Sequence, residues 1–216
     1  MKIFLDTAKA DEIRKWKSVI SGVTTNPTIL LKDGGSINDL YREVGELPIS
    51  LEACGDFRTD AIRYSCELPG CNIKIPLLKP EGGNNLDLIA ELTDSNIDIN
   101  CTALFSLSQV ILATKAGARY VSLFYGRIAD EGGSPGSIIS DCIEFLLTED
   151  TDTELIVGNV RGVADVLDST VNGADIVTIP PAILEKMVKH SYSLDTVRMF
   201  ERDNAALVKL NGLECN

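Results

Sequence analysis

Eight short apolar runs alternate with segments of helical period along this chain, and few folds accept that pattern. The strand-like runs span 2–6, 22–25, 49–53, 72–76, 97–102, 120–124, 154–157 and 175–178. Helix-like segments follow at 10–20, 37–46, 59–68, 85–93, 106–115, 137–147, 163–170 and 181–190, and a last helix is expected at about 193–204. Eight strands, each followed by a helix, predict an α/β fold: a single compact (β/α)8 TIM barrel with an additional C-terminal helix. An open, doubly wound sheet fits the same local pattern, because periodicity does not report closure. "AGARYVSLF" and "NGADIVTIP" each put Gly-Ala between a helix and a strand, where a left-handed helix stop is needed. No linker or low-complexity stretch interrupts residues 1–216, so one domain is expected. The most flexible-looking loop is "DEGGSPG", residues 130–136.

Composition narrows the function classes. With 32 acidic against 20 basic residues, the formal net charge is −12. That balance opposes nonspecific nucleic-acid binding and docking on an anionic membrane. No apolar run approaches the ~18 residues a transmembrane helix needs. The start, "MKIFLDTAKADEIRKW", acquires charge at once, so no secretory leader is expected. The six cysteines (Cys54, Cys66, Cys71, Cys101, Cys142, Cys215) form no CxxC pair, and the one histidine, His190, is distant from them. No metal site is expected. Reduced core thiols in a cytoplasmic protein are the expectation.

One lysine stands out. In "CNIKIPLLKP", Ile73 and Ile75 share one strand face and Lys74 takes the other. A strand of a parallel sheet is buried on both faces, and lysine is almost never fully buried without a reason. Burial disfavours the charged form of an amine, and a neutral amine attacks a ketone to give a Schiff base, an electron sink. Such chemistry needs proton shuttles, and the C-terminal ends of barrel strands are where they would stand. Polar residues at those ends are Asp6, Thr24, Thr25, Asn26, Glu52, Asn100, Thr102 and Ser122, with Arg127, Asn159 and Arg161 just beyond. The plain alternative is a structural salt bridge from Lys74 to Asp6 or Glu52.

"FLDT", "GVTTNP", "KIP", "YVSLFYGR" and "GADIVTIP" occur in that order over nearly the whole chain. Together they resemble the transaldolase family, in the small branch that includes fructose-6-phosphate aldolase. The resemblance implies a barrel and a class I mechanism with no cofactor or metal. By motif, Lys74 resembles the Schiff-base lysine. Asp6 resembles the carboxylate that exchanges a proton with the substrate hydroxyl. Glu52 resembles a glutamate acting through a water, and Thr102 the threonine that helps hold that water. Asn26 resembles a residue binding substrate hydroxyls, with Thr25 beside it; the plain alternative for Asn26 is helix capping before Pro27. Ser122 and Phe124 resemble lining residues. Arg127 and Arg161 resemble phosphate-binding arginines, suited by a planar fork of donors. Asn159 stands where many members have serine.

The family has two chemical outcomes. A transaldolase of the pentose phosphate pathway passes a dihydroxyacetone unit from a ketose phosphate (sedoheptulose 7-phosphate or fructose 6-phosphate) to an aldose phosphate (glyceraldehyde 3-phosphate or erythrose 4-phosphate). An aldolase releases free dihydroxyacetone. Transaldolases typically carry the glutamate and phenylalanine seen at Glu52 and Phe124, where the aldolase branch carries glutamine and tyrosine. This chain therefore resembles transaldolase more. A non-catalytic sugar-phosphate-binding protein is the reading from another class. Small members of the family form homo-oligomers, pentamers or decamers, and the C-terminal helix is expected to reach a neighbour. His190, Lys79 and the acidic stretch 148–154 read as surface groups.

Overall fold

The computed structural model describes residues 1–211. Its eight strands are β1 (Lys2–Asp6), β2 (Gly22–Thr24), β3 (Ile49–Glu52), β4 (Asn72–Pro76), β5 (Ile99–Leu104), β6 (Tyr120–Phe124), β7 (Glu154–Gly158) and β8 (Ile176–Ile179). All pair in parallel in chain order, and β8 pairs back onto β1, so the sheet is a closed barrel. The open-sheet alternative is thereby excluded. The helices are α1 (Ala10–Trp16), α2 (Pro27–Asp33), α3 (Ile37–Val44), α4 (Phe57–Glu67), α5 (Leu86–Asp94), α6 (Leu107–Lys115), α7 (Tyr125–Asp130), α8 (Pro135–Thr148), α9 (Val163–Val171), α10 (Pro181–Val188) and α11 (Ser191–Asn211).

Strand parity decides what faces the helices and what fills the barrel. Leu5, Val23, Leu51, Ile73, Ile75, Ile99, Val121, Leu123, Leu155, Val157, Val177 and Ile179 are buried in the layer between strands and helices. Burying each such side chain is worth roughly 1.5–3 kcal/mol. The alternate residues point inward. Phe4, Tyr120, Ile156 and Ile176 form an apolar floor. Gly22 makes room for it, since a Cβ there would lie 2.6 Å from the Phe4 ring.

Above the floor the barrel interior turns polar. Thr24, Ser50, Asn100, Ser122 and Thr178 are buried. Buried polar groups cost free energy unless they pair, and these do. Ser122 Oγ donates to Asn100 Oδ1 at 2.7 Å, and Asn100 Nδ2 donates to Ser50 Oγ at 3.2 Å. The Asn100–Ser50 bond skips β4, a reach that the inward curvature of the barrel shortens. The polar layer supports the charged residues at the strand ends.

Local chemistry explains most of the punctuation. Gly117 and Gly173 end α6 and α9 at φ +88° and +91°, left-handed backbone as the Gly-Ala signals required. Ser36, Asp56 and Ser106 cap α3, α4 and α6 with side-chain oxygens.

Several boundaries differ from those the sequence predicts. α2 and α7 are extra short helices at the barrel mouth, where loops were expected. The loop expected at 130–136 is shorter: α7 runs to Asp130, and α8 starts at Pro135, which is buried together with Gly136. α1 ends at Trp16, not residue 20. α11 contains the helix expected at 193–204 and extends beyond it at both ends, with nearly every described residue exposed. Residues 212–216, including Cys215, lie outside the described residues.

The cysteines divide. Cys71, Cys101 and Cys142 are buried, and burial pushes their thiols up to about 11, about 12 and about 12. Cys54 and Cys66 are exposed, so the expectation of core thiols fails for those two. Among the described residues, no helix is long and apolar enough to cross a membrane.

Candidate active site

Lys74 enters the barrel because its neighbours Ile73 and Ile75 fill the outer layer and leave it the inner face. It is 6% exposed. Its Nζ lies 3.1 Å from Glu52 Oε2 and donates to the Thr25 carbonyl, also at 3.1 Å. Glu52 and Lys74 are directly paired across β3 and β4, so their proximity is set by strand register. Glu52 is partly exposed at the mouth, with 23% of its side-chain surface accessible.

Asp6 stands across the barrel at the end of β1. Its Oδ1 accepts from Thr24 Oγ1 at 2.8 Å, and Thr24 Oγ1 lies 2.5 Å from Thr178 Oγ1. Burial pushes the Asp6 carboxyl above the usual range, and Glu52 adds to the rise. Lys74 and the Thr24 hydroxyl pull the other way.

A cavity opens between these groups. Asp6, Thr24, Asn26, Lys74, Thr102, Ser122, Phe124, Gly158, Asn159 and Thr178 line it. Eight of the residues singled out in sequence therefore meet in one place: Asp6, Thr24, Asn26, Lys74, Thr102, Ser122, Phe124 and Asn159. Glu52 joins them through Lys74. Asn26 also caps α2, accepting from Ile29 N–H through Oδ1 at 3.0 Å. The capping reading is thus realised, and the cap holds Asn26 at the cavity wall. Thr102 Oγ1 is buried without a protein partner among the described residues. It sits at a β-bulge where Ala103 takes φ +59°, a rare backbone state for a residue with a Cβ.

Thr25 meets the site through its backbone. Its side chain is not part of the cavity wall, since parity turns it outward from the barrel, and it contributes its carbonyl to Lys74. Neither arginine lines the cavity around Lys74. Arg161 forks onto Asp130, with both Nη–Oδ distances 2.6 Å, and this pairing holds the Asp130 carboxyl below the usual range. Arg127 is exposed on α7, one helix turn before Asp130. Asn159 connects the two regions. It takes φ +57°, a left-handed state that asparagine tolerates better than most residues, and its carbonyl accepts from Gly126 N–H at 3.2 Å. A Cβ on Gly126 would lie 2.6 Å from Arg161 Nε and 2.7 Å from Asn159 Oδ1, so glycine permits this approach.

Thr178 and Gly158 were not singled out in sequence. Parity within "GADIVTIP" would have found Thr178, since Ile176 faces the floor and Thr178 is two residues on.

A model of the family described as Transaldolase/Fructose-6-phosphate aldolase matches residues 58–214. A protein named "Probable transaldolase" from Thermoanaerobacter sp. (strain X514) is 37% identical over 208 residues, covering 94% of this chain and 96% of its own. The chain belongs to the transaldolase/fructose-6-phosphate aldolase family. Proteins of the same name from Thermodesulfovibrio yellowstonii and Aquifex aeolicus are 36% and 38% identical, over 97% and 94% of this chain and 100% and 96% of their own. Among solved structures, a chain described as a lactate oxidase from Pediococcus acidilactici superposes with a TM-score of 0.62 at 12% identity. That match covers 83% of this chain and 62% of the other, and it shows the fold alone. The matched span contains Lys74 and the cavity residues from β4 onward, while Asp6, Thr24, Asn26 and Glu52 precede it.

Proposed function

We propose that the protein is a transaldolase that moves a dihydroxyacetone unit between sugar phosphates through a Schiff base on Lys74. The observation that carries this reading is a buried lysine amine within 3.1 Å of a carboxylate, at the wall of a cavity that a second carboxylate, Asp6, also lines. A purely structural ion pair would not need the cavity or the second acid.

The chemistry follows from the placement. Glu52 is positioned to take a proton from the Lys74 ammonium, freeing the amine to attack the ketose carbonyl carbon. Carbinolamine forms, and loss of water gives the iminium. Glu52 and the orphaned Thr102 hydroxyl are arranged to hold a water that moves these protons. Asp6 then removes the proton of the C4 hydroxyl. The C3–C4 bond breaks, its electrons enter the iminium as an enamine, and an aldose phosphate leaves. An incoming aldehyde reverses these steps, with Asp6 returning the proton. Asn26 and Ser122 supply polar contacts for the bound hydroxyls. Arg127 receives the phosphate, with Arg161 beside it, and Asn159 bridges phosphate region and cavity. α11 displays Tyr192, Leu194, Val197, Met199 and Phe200 to solvent, which supports assembly as a homo-oligomer through this helix.

Borohydride reduction with fructose 6-phosphate tests the reading. A stable three-carbon adduct on the wild type, absent from Lys74→Met, is expected. Transfer to erythrose 4-phosphate should then exceed release of free dihydroxyacetone. An adduct with release but no transfer identifies an aldolase, and no adduct leaves only a binding protein.

A further inference from the structure

Asp6 is bonded to one hydroxyl, and a second stands behind that one. Thr24 Oγ1 has one proton and gives it to Asp6 Oδ1 when the carboxylate is ionised. The 2.5 Å contact between Thr24 Oγ1 and Thr178 Oγ1 must then be donated by Thr178. The chain runs Thr178 to Thr24 to Asp6, from β8 and β2 onto β1. When Asp6 is protonated, its O–H can donate to Thr24, whose proton turns to Thr178. The same three oxygens serve both forms of the acid by rotating two hydroxyls, with no heavy atom moving, but only the ionised form uses both hydroxyl protons within the chain, so the chain favours the carboxylate.

We infer that Thr178 is a positioning residue for proton transfer at Asp6, acting through Thr24. This rests on the proposed role of Asp6 as the proton acceptor in carbon–carbon cleavage and donor in its reversal. A group that must be base in one half-reaction and acid in the other is helped by a relay that fits either state. Successive hydroxyls polarise one another, so the donation from Thr178 strengthens the one from Thr24. The other charged groups near Asp6 are Lys74 and Glu52 inside the barrel. Lys9, Glu12, Lys32, Asp33 and Glu185 surround the cleft that opens outward from it. None of these lies in the hydroxyl chain, so substitutions at Thr178 leave them in place.

Thr178→Val keeps the side-chain shape and removes the hydroxyl. The Asp6 carboxyl carbon can be followed by 13C NMR in protein labelled at aspartate and without substrate, its signal assigned by difference from Asp6→Asn. Thr178→Val should move the Asp6 titration upward by about half a pH unit relative to wild type, given the strength of hydrogen bonds to charged groups. Thr24→Val should move it further. Because the hydroxyls act in series, the double variant should match Thr24→Val alone. Thr178→Ser should restore the wild-type titration, and Thr178→Ala serves if valine destabilises the barrel. The acidic limb of kcat/KM should move with the NMR titration. An unchanged titration in both Thr178→Val and Thr178→Ala, or equal additive shifts in the double variant, overturns the relay. Shifted titrations in variants of a protein that shows no transaldolase activity would sink the functional reading and leave the relay standing.

Discussion

Glu52 and Lys74 are cross-strand partners in direct register, and their charged ends meet at 3.1 Å where the barrel interior opens to its mouth. A pair this enclosed costs desolvation that the attraction only partly returns. Retaining it for stability alone would be a poor bargain, because a well-packed apolar pair serves as well. Its place on the cavity wall gives the cost a use.

Lys74→Met removes the amine and keeps the length of the side chain. Trapping with borohydride and turnover should both vanish, while the circular dichroism spectrum stays that of wild type. Glu52 loses its partner but remains in reach of solvent, so no severe destabilisation is expected. Mass spectrometry of the reduced protein checks this directly. An adduct persisting in the variant, on Lys79 or elsewhere, would remove Lys74 from its role.

Asp6→Asn should be inactive and more heat-stable than wild type at pH 8. Burial raises the Asp6 carboxyl above its unfolded value, so ionising it costs more in the folded protein. The stability linked to this group is full below the unfolded value of about 4 and is lost as pH rises through the higher folded value. Asparagine cannot ionise and escapes that loss, and its Oδ1 still accepts from Thr24. Thermal melts across pH 4 to 8 should show the variant's advantage shrinking on acidification. Equal melting temperatures at pH 8 would mean that Lys74 offsets the burial completely.

The two arginines should not contribute equally to phosphate binding. Arg161 already spends both Nη ends on Asp130, whereas Arg127 makes no ion pair within 4 Å among the described residues. Arg127→Ala should raise KM for fructose 6-phosphate roughly 10- to 150-fold, the range for a lost charge-assisted contact. Arg161→Ala should raise it less. Neither should much affect free dihydroxyacetone, which has no phosphate. If both substrates weaken equally, these arginines hold the α7 region together and do not read phosphate.

Much of this was legible from strand parity. The alternation of outward Ile73 and Ile75 with inward Lys74 held, and the same parity placed Asp6 over Phe4 and Phe124 over Ser122. What escaped were relations between distant segments. Nothing local links Asp130 to Arg161, 31 residues apart, or Thr24 to Thr178, 154 apart. α2 and α7 escaped because helices of seven and six residues give no clear period. The start of α2 was the exception: Asn26 caps and Pro27 is the first helical residue, as the capping reading of "TTNP" allowed. Nor does the sequence reveal that the Thr25 carbonyl accepts from Lys74, 49 residues on.

Glu52 and Phe124 together should decide between transfer and release. Phe124 lines the cavity and packs edge-to-face on Phe105, with ring centroids 5.7 Å apart, so its ring plane is fixed by a neighbour. Phe124→Tyr would extend that ring by one hydroxyl without turning it. A phenol can donate to and accept from a water, which phenylalanine cannot. If water delivered there hydrolyses the enamine-derived iminium, the variant should cleave fructose 6-phosphate with no acceptor present. Glu52→Gln keeps the shape of the partner to Lys74 but cannot take its proton, so transfer should slow by ~10²–10⁴-fold, the usual scale of general acid–base catalysis. Each enzyme should be assayed with fructose 6-phosphate alone and then with erythrose 4-phosphate added. A wild type that releases dihydroxyacetone as fast as it transfers it would show that these two side chains do not suppress release, and the assignment as a transaldolase would give way to an aldolase.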